Sequence, residues 1–146
     1  MKLHSIFPEI SPTCEKCEVV DADLLHSFAL CTKLQDFWVD IFDFFSRLFG
    51  VQLEPDPVLI ILGVSDALRT LSVPQQRLLS YGLITAKKLI LMGWKGREIP
   101  TKRRWLTELT DTLHLERIRY TIKDKPEQFE KIWRPLLSFL GQERAS

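Results

Sequence analysis

The sequence predicts an all-α protein, on three observations. Long stretches place apolar residues at helical spacing and end on glycine or proline. The one short apolar run that could be a strand, "VLIILG" from residue 58, has no second strand to pair with. Four side chains suited to a metal crowd "CEKCEVVDADLLHSFALC" at 14–31, so the front of the chain is expected to be a zinc-stapled helical hairpin followed by a small helical bundle.

Residues 1–13 carry Pro8 and Pro12 without any period and are expected to form an extended lead-in. Residues 14–50 form the zinc-binding helical segment. From Asp23 the pattern turns helical, with Leu24, Leu25, Phe28 and Ala29 as one stripe and Asp21 or Asp23 as its cap. "TKLQDFWVDIFDFFSRLFG" is the strongest helix signal. Thr32 is its expected N-cap and Gly50 its end. Leu34, Phe37, Trp38, Ile41, Phe45 and Leu48 form its apolar face, and Asp36, Asp40, Asp43 and Arg47 its wet one.

Residues 51–71 are a linker with a short apolar helix, since the prolines of "LEPDP" break what precedes it. A basic helical bundle spans 72–141. Ser72 caps its first helix, with Pro74 in the first turn and Leu78, Leu79, Leu83, Ala86, Leu89, Ile90 and Trp94 recurring behind it. Gly82 costs about 1 kcal/mol relative to alanine inside that pattern, which a close helix crossing would explain. "TKRRWLTELTDTLHLERIRYTI" is the next helix, its face expected from Trp105, Leu106, Leu109, Leu113, Ile118 and Ile122. Lys125-Pro126 breaks it. A last helix runs through Phe129, Ile132, Trp133, Leu136 and Leu140, kinked near Pro135, and 142–146 is a tail.

Composition excludes several classes. The chain has 146 residues, 45% hydrophobic and 27% charged, ordinary for one folded domain rather than a disordered chain. The start "MKLHSIFPEISPT" has no apolar signal core, and no apolar run is long enough for a bilayer. The expectation is therefore an intracellular protein of a reducing compartment, nucleus or cytoplasm, with no membrane partner. Net charge is +1 but uneven. Residues 1–86 hold 6 Lys/Arg against 11 Asp/Glu, and residues 87–134 hold 13 against 7. A basic second half fits contact with a phosphate backbone, and equally a solvated helical surface.

The spacing C-x2-C-x8-H-x4-C assigns Cys14, Cys17, His26 and Cys31 to one structural Zn2+. A C-x2-C pair lets two thiolates reach one ion, and His26 would present its imidazole from the helix behind it. Cys31 lies five residues on, about 140° from the direction of His26 on a straight helix. If Cys31 is a ligand, the helix must end or bend near residues 30–31. The bland alternative is that the thiols are simply core residues.

No other constellation carries chemistry. There is no phosphate-binding glycine loop and no nucleophile with a base and orienter, so neither an enzyme nor a small-molecule substrate is expected. His114 reads as a surface residue. The densest basic stretch, Lys102, Arg103 and Arg104, stands beside Trp105 at a helix start, where positive charge opposes the helix dipole. With Arg117 and Arg119 these are the expected contacts to RNA or DNA, and Trp105 is either their stacking partner or a core residue.

The residues Cys14, Cys17, His26, Phe28, Cys31 and Trp38, within "CEKC" and "LLHSFALCTKLQDFW", resemble the zinc-binding segment near the C-terminus of the reverse-transcriptase polyprotein of non-LTR (LINE-type) retrotransposons. "LILMGWKGREIPTKRRWL" and "LERIRYTIKDKPEQFEKIWRPLLSFL" are similar to the end of vertebrate polyproteins of this kind, so the resemblance spans about residues 5–140. It implies a C-terminal fragment without the polymerase or endonuclease carboxylates, helping to grip template RNA or the target site. A protein-interaction fragment whose apolar faces pack on an absent polymerase body is the alternative it implies.

Overall fold

The computed structural model describes residues 31–63, 65–93 and 98–145, and every regular element among them is helical. The lead-in, Cys14, Cys17, His26, the first arm of the expected hairpin and Trp94 lie outside the described residues.

Helix α1 runs Gln35–Phe49 behind a 3-10 turn at Thr32–Leu34. Thr32 is not the N-cap that its hydroxyl suggests. The amide of Leu34 donates to the Cys31 carbonyl at 3.0 Å, so the chain winds tightly from residue 32 and Thr32 is already inside the turn. The side chain of Gln35 reaches back to the same carbonyl at 3.1 Å. Phe37, Trp38, Ile41 and Phe45 are buried as expected, and Phe42 and Phe44 with them. The arc is wide because α1 is covered on several sides by the longer helices of the second half of the chain. The four charged residues of its wet face are all exposed. Gly50 stops the helix with φ 69°, the left-handed region that glycine enters without strain.

The Ser46 hydroxyl fixes the loop after α1. It donates to the Phe42 carbonyl at 2.8 Å and accepts from the Leu53 amide at 2.9 Å, holding that loop against the helix. The ambiguous apolar run is helical: α2 spans Pro57–Leu62 and buries Leu59 and Ile60. Asp56 caps it through Val58 N–H at 3.0 Å and accepts from the Ser65 hydroxyl at 3.0 Å, so one carboxylate ties both ends of a six-residue helix. A 3-10 turn at Asp66–Thr70 comes next, and the Leu68 and Leu71 carbonyls are held by Gln76.

Helix α3 covers Val73–Met92 and opens on a reciprocal capping box between Ser72 and Gln75. Gly82 is buried on it, and a Cβ there would run into the Phe45 ring and stand 3.2 Å from Trp105 Cζ2. The close crossing is real, and it explains the glycine.

Helix α4, Lys102–Ile122, is capped by the Thr101 hydroxyl, which accepts from Arg104 N–H at 3.1 Å. Its buried row is Trp105, Leu109, Leu113 and Tyr120. Ile118 and Ile122, expected in the core, are 58% and 80% exposed. At about 100° per residue Ile118 points well over 90° away from Trp105, whereas Tyr120 returns to the Trp105 side. The chain then reverses in two residues. Asp124 takes φ 55°, and Lys125 N–H bonds the Tyr120 carbonyl at 2.9 Å, a Schellman closure with aspartate where glycine is usual.

Helix α5 runs Pro126–Ala145 through Pro135 without interruption. Phe129, Ile132, Trp133 and Leu136 are buried. The Trp133 indole N–H, fully buried, has no acceptor among the described residues. Helices α3, α4 and α5 pack pairwise, α1 packs on all three, and a continuous apolar core joins them. The second arm of the expected hairpin therefore shares its core with the bundle.

Candidate nucleic-acid interface

Lys102, Arg103 and Arg104 are exposed and form the first turn of α4. That turn contains no acidic residue, and among the described residues no carboxylate pairs with any of the three. Like charges thus crowd the positive end of a helix dipole without a counter-charge. Trp105 does not serve them as a stacking ring. It is fully buried, its N–H bonded to the Gly82 carbonyl, its ring edge-on to Phe44 and Phe45 at 5.3 and 5.6 Å.

Arg117 and Arg119 lie at the other end of α4, about 22 and 26 Å along the axis from Lys102 at about 1.5 Å per residue. They also project to nearly opposite sides, about 200° apart. Arg117 covers the Phe129 ring at 5.3 Å. Arg119 is engaged by both Glu116 oxygens at 3.0 and 3.3 Å, and that hydrogen bond holds its guanidinium pKa above the ordinary value. The five expected contacts are therefore one dense cluster and two separated arginines, not one strip.

The surface beside the cluster is a feature that sequence reasoning misses. Lys102 Nζ sits 5.6 Å above the Phe44 ring. Together they line a pocket of about 400 Å³ with Arg47 and Leu48 of α1 and Pro135, Ser138 and Phe139 of α5. Phe139 stands edge-on to Phe44 at 5.0 Å. These residues come from three distant stretches, so no local motif could signal them.

Between α3 and α4 the Tyr81 ring lies 4.8 Å from Trp133 and its phenol bonds Glu116. Burial, then the Glu116 and Tyr120 charges, push that phenol up to about 12, with Arg119 opposing. Burial also lowers the Lys87 pKa. His114 is exposed, as expected.

Of the zinc ligands assigned from the sequence, only Cys31 is described. It is fully buried with φ −58° and ψ 125°, so the backbone is not helical there. Among the described residues no three His, Cys, Asp or Glu side chains gather into a metal-binding group. No described helix is long and apolar enough to cross a membrane. Comparison with family models, curated proteins and solved structures finds no match.

Proposed function

We propose that the chain is a non-enzymatic, intracellular nucleic-acid-contacting module of the retrotransposon reverse-transcriptase C-terminal type. One structural Zn2+ on Cys14, Cys17, His26 and Cys31 staples its front. The observation that carries the reading is the cluster Lys102, Arg103 and Arg104 at the start of α4, which no carboxylate among the described residues pairs. Three exposed cations facing their own helix dipole are relieved by bound phosphate, and only Lys102, over the Phe44 ring, has a packing contact of its own. Arg117 and Arg119 would join only on a strand long enough to track along α4.

Binding of single-stranded RNA across a salt series tests this. Log affinity should fall with log salt by about 0.7 per phosphate contacted, and Lys102→Ala/Arg103→Ala/Arg104→Ala should flatten the slope. Salt-insensitive retention, or no binding, would refute it. Zinc is tested separately by native mass spectrometry: one ion per chain, lost in Cys17→Ser/His26→Ala.

A second reading, a fragment that packs on an absent polymerase body, is favoured by one observation. Leu115, Ile118 and Ile122 lie along one side of α4 at 68%, 58% and 80% exposure. Concentration-dependent self-association without affinity for RNA would select it.

A further inference from the structure

We infer that the pocket at the junction of α1, α4 and α5 receives an unpaired nucleobase from a strand whose phosphates lie on Lys102, Arg103 and Arg104. This rests on the proposed nucleic-acid function and adds to it the form of the ligand. Three features of the site support it.

The first is chemical composition. The pocket has an aromatic and aliphatic interior from Phe44, Phe139 and Leu48, and two cations line it: Lys102, which no described carboxylate pairs, and Arg47, which Asp43 holds at 3.3 Å. A nucleotide offers the matching pair, a flat apolar ring and an anion. A duplex would present its phosphates and keep its bases stacked away from such a pocket.

The second is size and place. A volume of about 400 Å³ lies toward the low end of the usual range for small-ligand sites, about 300–1,000 Å³. Lys102 belongs both to the pocket and to the unpaired cluster, so a phosphate on the cluster has its own base within reach of the rim.

The third is polarity within reach of a base edge. Ser138 is exposed on the pocket wall, with a hydroxyl that both donates and accepts. Phe139 is half-buried, its ring leaning on Phe44 while part of it meets the pocket. By contrast, Arg119 of the α3–α4 groove is already satisfied by Glu116.

The experiment compares fluorescence anisotropy of four labelled probes with the full chain: a mixed-sequence single-stranded RNA, the same strand with abasic positions, the matching DNA, and a duplex. Wild type should bind the intact strand at least about fivefold tighter than the abasic one, the least that loss of a base–aromatic stack gives. Phe139→Leu should erase that difference while leaving abasic and duplex affinities unchanged. Ser138→Leu, at an exposed position, should erase it by filling the pocket even if Phe139→Leu unfolds. Discrimination with RNA, with DNA or with both supports the pocket and identifies the strand it takes. Equal binding of intact and abasic strands overturns the pocket and leaves the phosphate reading standing. Binding of none of the four overturns both.

Discussion

The indole N–H of Trp105 donates to the backbone carbonyl of Gly82 at 2.9 Å, joining α4 to the middle of α3 by a buried bond. The bond needs the two helices close, and only a residue without a side chain lets them come so close. A helix-disfavouring residue thus sits where the helix crossing depends on it. Gly82→Ala should gain about 1 kcal/mol of helix propensity and still lose about 1–3 kcal/mol net, because the new methyl meets a Phe45 ring already wedged between Phe44 and Trp105. Urea unfolding monitored by circular dichroism measures it; a stabilised variant would contradict the crossing.

Ser46→Ala should cost about 1–3 kcal/mol. The change removes the acceptor of the Leu53 amide, and Leu53 is buried, so the amide is left without a partner. A surface serine would cost a few tenths. Hydrogen exchange at the Leu53 amide should quicken in the variant, a local signature that a general loss of stability would not give.

Asp124→Gly should stabilise the fold by about 0.5 kcal/mol. Aspartate at φ 55° carries a steric penalty that glycine lacks, partly offset by the greater freedom glycine has when unfolded. A thermal midpoint that falls instead would mean the carboxylate, rather than the backbone, shapes the α4–α5 reversal.

The Tyr81 phenol gives an alkaline window. Its ordinary pKa is 10.0 and in the fold it is pushed up to about 12. Below pH 10 both folded and unfolded chains hold the proton, and its contribution is fully present. Between pH 10 and 12 the unfolded chain ionises first, so stability falls across that interval. Glu116→Gln removes a carboxylate that raises the phenol, and should narrow the window from above. Ultraviolet titration of phenolate should show Tyr81 ionising late; its ionisation near 10 would contradict its burial.

Most helices are legible in the sequence because their signals are local. Ser72, Pro74 and Gly50 punctuate the chain as their chemistry demands, and the apolar spacing of α1 finds its core face. The failures share a cause in relationships between distant residues. Thr32 has the chemistry of a cap, but a tight turn from Cys31 has already begun there. Ile118 and Ile122 read as core because they are apolar, yet the row from Trp105 continues through Glu116, held by Tyr81 of α3, to Tyr120. The candidate site divides the same way. The cluster at Lys102 is readable as charge, and its aromatic neighbours are not, since Phe44 and Phe139 meet Lys102 only once three helices have packed.

Trp38, Trp105 and Trp133 are each fully buried, one on each of α1, α4 and α5. The emission these three supply is therefore a built-in gauge of the packing of α1, α4 and α5: it should resist aqueous quenchers in the folded chain and yield to them when those helices part. The Trp133 indole N–H, buried without an acceptor among the described residues, should contribute a blue component to the spectrum.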